Sequence, residues 1–282
     1  MKLLVTGFNG QLGYDVVNEA KSRGIEAVGV DINEMDITNK EQVQEVIGSG
    51  NYDAVVHCAA WTAVDKAEEK EVQDLVFKVN RDGTKNIVEV CQQLDIPVMY
   101  FSTDYVFNGQ GETPWMEYDE REPLNVYGQS KYEGELEVEK YSKHFIIRIS
   151  WVFGKNGNNF IKTMLKLGKE REEVSVVDDQ IGSPTYTFDL ARLVVDMIQT
   201  DKYGTYHATN QGLCSWYEFA KEIFNQAGMD VKVNPVDSSA FPVAATRPKN
   251  SRMNQTELDK NGFTRLPSWQ DALSRYLKEL NQ

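Results

Sequence analysis

No stretch of this 282-residue chain holds the roughly 20 consecutive apolar residues that a membrane-spanning helix needs. Positive charge is also short: 30 Lys and Arg against 43 Asp and Glu leave a net charge of −13, which argues against nucleic acid and anionic membranes as partners. Cysteine is scarce. Cys58, Cys91 and Cys214 are widely spaced, with no Cys-x-x-Cys, so they read as structural thiols rather than a disulfide framework or zinc site. The only three histidines, His57, His144 and His207, each lie in an apolar, strand-like run, which disfavours a His-centred metal site. Met1 to Gly7 is too short an apolar stretch for a signal peptide and runs straight into a glycine motif, so a cytoplasmic location is expected. No internal repeat or low-complexity segment is visible.

What remains is an ordinary globular composition, 41% hydrophobic and 26% charged, long enough for one substantial core or for a large and a small lobe. Lys2 to Thr6 reads as a short buried strand. It leads into Thr6-Gly7-Phe8-Asn9-Gly10-Gln11-Leu12-Gly13, then a helix from about Gly10 to Arg23, then a strand Glu26 to Val30 ending at Asp31. Strand, glycine turn, helix, strand, acid is the dinucleotide-binding βαβ order. Glycines let the backbone approach a pyrophosphate, and the helix N-terminus offers N–H groups and a positive dipole end. An ordinary strand–helix turn is the competing account, since turns collect glycine for conformational reasons.

The alternation continues with a helix near Asn39 to Ile47, a strand Asp53 to Ala60, helical periodicity from Glu69 to Leu94 with a break near Asn80, and a strand Val98 to Ser102. Phe145 to Ser150 is the sixth strand. The pattern predicts an α/β protein with a doubly wound parallel sheet. Residues 1–150 form the dinucleotide-binding domain, elements from about 180–210 return to it, and 151–282 form mainly a smaller substrate lobe. Thr103 to Leu124, without periodicity and carrying Tyr105, Phe107 and Trp115, is expected to be a lid or wall on the substrate side.

Tyr127 and Lys131 stand one helical turn apart. A phenol titrates near ~10, and an ammonium beside it would bring that value towards the range of a general acid/base. The spacing alone is weak, because Tyr217 and Lys221 repeat it within an amphipathic helix where packing explains both. Two basic stretches stand out in so acidic a chain. Trp151 to Lys169 carries four lysines and no acid, which fits a solvated helix face. Phe241 to Gln255 carries Arg247, Lys249 and Arg252, again with no acid, and suggests a second phosphate-bearing ligand distinct from the cofactor.

The glycine turn, Ser102-Thr103-Asp104-Tyr105-Val106-Phe107 and Tyr127-Gly128-x-Ser130-Lys131 together resemble the extended short-chain dehydrogenase/reductases. Four further blocks resemble, more narrowly, the dTDP-4-dehydrorhamnose reductase family. They are Thr62 to Glu68, Asn158-Asn159-Phe160, Asp179 to Thr185 and Arg247 to Arg252. The resemblance implies reduction of the C4 keto group of a dTDP-linked deoxysugar by NADPH, with NADH also accepted. Tyr127 would be the proton donor, Lys131 would lower its pKa and hold the nicotinamide ribose, and Thr103 would bond the carbonyl oxygen.

The resemblance places Gly7, Gly10, Gln11, Leu12, Gly13, Asp31, Asp36, Ile37, Ala60, Trp61, Thr62 and Phe101 on the cofactor, with Tyr127 and Lys131. Thr103, Asp104, Tyr105, Trp151, Asn159, Arg247 and Arg252 would face the substrate. Asp31 by itself favours NAD through the ribose hydroxyls. Some family members are dimers joined through magnesium held by helix carboxylates. Asp15 stands at one such position but Phe188 replaces another acid, so no metal is expected, and a homodimer remains the partner expectation. Two rivals share much of this pattern: a nucleotide-sugar epimerase or dehydratase, and a non-catalytic subunit like that of methionine adenosyltransferase. Against a dehydratase, Tyr105 stands where Glu usually follows Asp104.

Overall fold

The computed structural model describes residues 1–280. In chain order the first half runs β1 (Lys2–Thr6), α1 (Gln11–Ser22), β2 (Glu26–Val30), α2 (Lys40–Ser49), β3 (Ala54–His57), α3 (Lys70–Phe77), α4 (Thr84–Gln93), β4 (Val98–Thr103), α5 (Val126–Val138) and β5 (His144–Ile149). The second half runs β6 (Val152–Phe153), α6 (Phe160–Glu170), β7 (Glu173–Val177), β8 (Ile181–Gly182), β9 (Thr185–Tyr186), α7 (Thr187–Ile198) and β10 (Gly204–His207). It ends with β11 (Asn210–Gln211), β12 (Cys214–Ser215), α8 (Trp216–Gln226), β13 (Lys232–Val236), α9 (Thr256–Lys260), β14 (Leu266–Ser268) and α10 (Trp269–Leu280).

Six strands form one parallel sheet in the order β10-β5-β4-β3-β1-β2. The order reverses between β1 and β3, the switch point at which an open α/β sheet leaves a crevice beyond its strand ends. All four residues of β3 and all six of β4 are buried, as expected where helices cover both faces. One apolar cluster lies under α1 and α7, a second under α2 and α4, and a third holds the C-terminal lobe together around Phe153, Phe219 and Tyr276. Strand β10 returns from the second half to pair with β5, and α7 packs on α1.

Side-chain caps set several helix starts. Asn39 accepts from the Gln42 amide before α2, and Asn125 from the Gly128 amide before α5. The break near Asn80 is a π-turn, Lys78–Gly83, between α3 and α4. Asn80 is buried there; its side chain bonds both the amide and the carbonyl of Trp61 and also reaches Ser130 Oγ. It thus ties the loop after β3 to the helix that carries Lys131.

The segment after β4 is held against the loop at 250–253. Phe107 stacks on Trp115 with ring centroids 4.8 Å apart, and Trp115 is joined to Met253 and, through its indole N–H, to the Asn250 carbonyl. Among the described residues, no helix is long and apolar enough to cross a membrane.

Candidate active site

A cleft of about 810 Å³ opens at the carboxyl ends of β1, β3, β4 and β5. Gly7, Gly10, Gln11, Leu12 and Gly13 line it, as do Asp31, Asp36, Ile37, Ala60, Trp61, Thr62, Phe101, Thr103, Asp104, Tyr105, Tyr127, Lys131 and Trp151. Asn159, Arg247 and Arg252 are not among its walls.

The glycine turn fits an anionic, flat ligand. Gly7 has φ +64°, and a Cβ there would stand 2.7 Å from the Ala59 nitrogen, while a Cβ on Gly13 would collide with the Gly7 carbonyl. Helix α1 begins at Gly10 with no capping side chain and no acid in its first turn, so its leading N–H groups face the cleft. At the far end of β2, the Asp31 carboxylate accepts from the Asn9 and Ile32 amides at 3.0 and 2.8 Å. These residues suit a dinucleotide. Among the described residues no group of three or more His, Cys, Asp or Glu is arranged to hold a metal ion.

Beyond the turn lies the cluster expected to be catalytic. Tyr127 lies beside Thr103 in the cleft wall, and Thr103 Oγ1 donates to Asp104 Oδ1 at 2.9 Å. The Tyr105 and Tyr127 rings meet edge to face at 5.6 Å. Lys131 is buried, and its ammonium rests over the Tyr100 ring, 4.0 Å from the centroid. Burial pulls its pKa down to about 7, with Glu135 one turn further along α5 opposing that. Burial pushes the Tyr127 phenol above its usual value, the Thr103 bond countering in part. The expectation of a lowered Tyr127 pKa is not met: burial raises it, and Lys131 is not among the groups that act on it. Asp104 is fully buried; burial raises it to about 6 against the bonds from Ser251 and Thr103.

Three expected substrate residues lie elsewhere. Asn159 caps α6 by accepting from the Lys162 amide, and its amide group faces Gln11 Oε1 and the Tyr276 hydroxyl, so it braces the glycine turn; its neighbour Asn158 is the one in the cleft wall. Arg247 lies behind the wall between Tyr105 and Asp65, bonding the Asp65 carboxylate at 2.8 Å. Arg252 turns back onto Asn250 Oδ1, and Lys249 pairs with Asp179 at 2.7 Å. Arg247 and Lys249 are thus paired with carboxylates from distant segments, whereas Arg252 bonds only an amide oxygen.

Trp216 was absent from the expected residues, yet it lines the cleft and stacks on Trp151. The only sequence signal is its place directly after Ser215, the cap of α8, and helical periodicity disguises it as packing.

The sheet order, the glycine turn and the Tyr127–Lys131 pair facing one cleft define a Rossmann-type short-chain dehydrogenase/reductase. A UDP-glucose 4-epimerase of Thermus thermophilus, 20% identical, shares this fold with a TM-score of 0.84, covering 100% of this chain and 99% of that one. The family described as the RmlD substrate binding domain matches residues 1–282, and the chain belongs to it. It is similar to a dTDP-4-dehydrorhamnose reductase of Escherichia coli K12, 39% identical over 297 residues, 99% of this chain and 98% of that protein. The crystal structure of a dTDP-4-dehydrorhamnose reductase from Clostridium acetobutylicum superposes with a TM-score of 0.97 at 42% identity, covering 100% of both chains. That of the Bacillus anthracis enzyme in complex with NADP gives 0.95 at 46% identity, covering 99% of this chain and 100% of that one.

Proposed function

We propose that this protein reduces the C4 keto group of dTDP-4-dehydro-β-L-rhamnose to give dTDP-L-rhamnose, using NADPH. The carrying observation is that Thr103, Tyr127 and Lys131 converge in the same cleft as the uncapped glycine turn. The solved relative bound to NADP and the reductases similar over the full length support the same reading.

NADPH supplies the hydride when bound. Gly7, Gly10 and the N-terminus of α1 would hold its pyrophosphate, and Lys131 the nicotinamide ribose. Reduction leaves negative charge on the former carbonyl oxygen, which requires a proton from a donor within ~3 Å. Tyr127 is that donor. Its phenol, raised by burial, carries its proton throughout the working pH range. Thr103 beside it orients the carbonyl oxygen, and the buried walls keep water from competing for the proton. A cytoplasmic location agrees with a nucleotide-linked substrate and a nicotinamide cofactor.

The test is purified protein with NADPH and the dTDP-4-keto-6-deoxysugar, followed by loss of cofactor absorbance. Stoichiometric oxidation supports the reductase. Sugar conversion without net oxidation supports an epimerase or dehydratase, and no conversion at all a binding subunit.

A further inference from the structure

We propose that Tyr100 is the positioning residue for Lys131: its ring face seats the ammonium and aims it into the cleft. The proposal deepens the reductase reading, since it gives a partner to the lysine assigned there to the nicotinamide ribose.

Tyr100 lies on β4 and is fully buried. The Lys131 Nζ stands 4.0 Å from its ring centroid, the shortest cation–ring contact among the described residues. The next is 4.7 Å, from Arg121 to Tyr132. Lys131 itself is 3% exposed. The carboxylate that acts on it, Glu135, is paired instead with Arg148 and Arg121, at 2.8 Å each. A buried ammonium with no carboxylate against it needs another source of negative potential, and the face of an aromatic ring is one.

The ring is fixed in that place. Its hydroxyl donates to the Lys131 carbonyl at 3.2 Å, so ring and ammonium are tied to one turn of α5. Gly134 allows the approach, since a Cβ there would strike the Tyr100 hydroxyl oxygen. The His57 ring lies 5.7 Å away and is itself held by Thr6 at 2.8 Å and Thr84 at 3.1 Å. Thr6 directly precedes Gly7, so the seat of the lysine is braced against the glycine turn. Burial holds the Tyr100 phenol well above its usual value, which keeps the ring neutral.

The groups around the ammonium come from four elements. His57 and Cys58 approach from the end of β3, Tyr100 from β4, and Tyr127 and Glu135 from α5, with Arg148 of β5 behind Glu135. Burial takes His57 down to about 3 and so keeps it neutral, and it holds the Cys58 thiol and the Tyr127 phenol protonated. Glu135 stays ionised, at about 2. Lys131, pulled down to about 7, and Asp104 in the same cleft wall, raised to about 6, are left to titrate near neutrality. Losing the ring face removes a stabiliser of the charged amine, so the Lys131 value falls further.

The experiment compares the wild-type chain with Tyr100→Phe, which keeps the face, and Tyr100→Leu, which loses it. Two readouts need no turnover. One is the Lys131 titration midpoint in the ligand-free protein, from NMR of isotopically labelled lysine with Lys131→Met to assign the signal. The other is NADPH affinity between pH 5 and pH 8, from fluorescence. For Tyr100→Leu the midpoint is expected about one pH unit lower, a tenfold loss of proton affinity. Its NADPH affinity should match the wild type at pH 5 and be roughly tenfold weaker at pH 8, where only the lost proton separates the two. Tyr100→Phe should recover most of both losses. A midpoint that stays level in Tyr100→Leu, or an affinity loss of one size at every pH, overturns the proposal, because packing damage has no reason to follow the lysine. So does a Tyr100→Phe variant that loses as much as Tyr100→Leu, which would put the effect in the hydroxyl. Should Tyr100→Leu not fold, a multiply fluorinated phenylalanine at position 100 keeps the ring shape and drains charge from its face. Measured against Tyr100→Phe it should lower the midpoint, and an equal midpoint refutes the seat. Wild-type chain whose Lys131 midpoint follows the ring but which oxidises no NADPH with the dTDP-4-keto-6-deoxysugar sinks the reductase reading and leaves the positioning role standing.

Discussion

Glu135 and Arg148 meet through two hydrogen bonds of 2.8 Å each, both side chains buried, directly behind the helix turn that carries Lys131. Arg121 adds a third bond to the same carboxylate at 2.8 Å, and Arg148 also donates to the Glu117 carbonyl. Burial alone would raise the Glu135 carboxyl, but Arg148 first and Arg121 after it hold it at about 2. The pair has two consequences: it anchors α5 to β5, and it helps keep Lys131 charged.

Replacing Glu135 with Gln leaves Arg148 buried without its counter-charge. Breaking a buried pair this way typically costs ~3–5 kcal/mol, so Glu135→Gln should melt well below the wild-type chain at neutral pH. The pH dependence has a fixed sign. The folded value of about 2 lies below the usual 4.5, so the contribution is complete above about 4.5 and fades as pH falls towards 2. Melting temperatures of the two proteins should therefore converge across that window. A gap of constant size from neutral pH to pH 3 would refute the assignment.

Tyr127→Phe removes the proton donor while nearly preserving the ring and its edge contact with Tyr105. Turnover should fall by ~10²–10⁴-fold, the usual worth of general acid catalysis, with NADPH affinity unchanged. Tyr217→Phe is the matched control. Tyr217 and Lys221 share the spacing, but they lie on α8 with the ammonium over the Tyr217 ring at 5.3 Å and neither lines the cleft. Steady-state rates of the two variants decide the matter: near-normal turnover in Tyr127→Phe would mean that another group supplies the proton.

The parts visible in the sequence were those encoded locally. The glycine turn, the β/α alternation and the Tyr127–Lys131 spacing each depend on neighbours within a few residues, and the sheet and cleft follow from them. What stayed hidden depends on partners far along the chain. Arg247 finds its carboxylate 182 residues away at Asp65, which no composition window reveals. Glu135 looks like a solvated helix acid, because α5 carries polar residues on every face and its burial comes from the sheet behind it. The Tyr127 pKa was misjudged for a related reason: spacing shows that an ammonium lies one turn away, whereas the desolvation that raises the phenol exists only once the walls assemble.

Asp31 should govern cofactor choice. Its carboxylate sits at the end of β2, and among the described cleft walls Lys131 is the only basic residue, so no cation stands beside Asp31 there for a 2′-phosphate. Both NADH and NADPH are expected to support turnover, with NADPH the expected preference; a similar solved reductase is in complex with NADP. Asp31→Asn removes one negative charge near the adenosine ribose. A repulsion of ~1 kcal/mol, that of like charges ~4 Å apart in water, corresponds to a rise of about fivefold in the NADPH-to-NADH ratio of kcat/KM. An unchanged ratio would place the ribose away from Asp31.

Asp104 should set the pH profile. Thr103 has one hydroxyl proton, and it points at Asp104 Oδ1. While Asp104 is ionised it holds that proton and places a negative charge beside the oxygen on which charge develops during reduction. Both effects oppose the reaction. Protonation of Asp104, whose carboxyl burial raises to about 6, removes the charge and frees Thr103 to donate to the substrate oxygen. The expected kcat/KM therefore rises as pH falls through about 6, while Tyr127, raised by burial, stays protonated on both sides of that limb. Asp104→Asn carries no charge at any pH and should lose the limb near 6, leaving only what Lys131, held near 7, contributes above it. Initial rates between pH 5 and pH 8 for both proteins provide the measurement. A wild-type profile that falls instead of rising below pH 6, or a limb that survives in Asp104→Asn, would show that another group titrates and that Asp104 serves only to hold Thr103 and Ser251 in place.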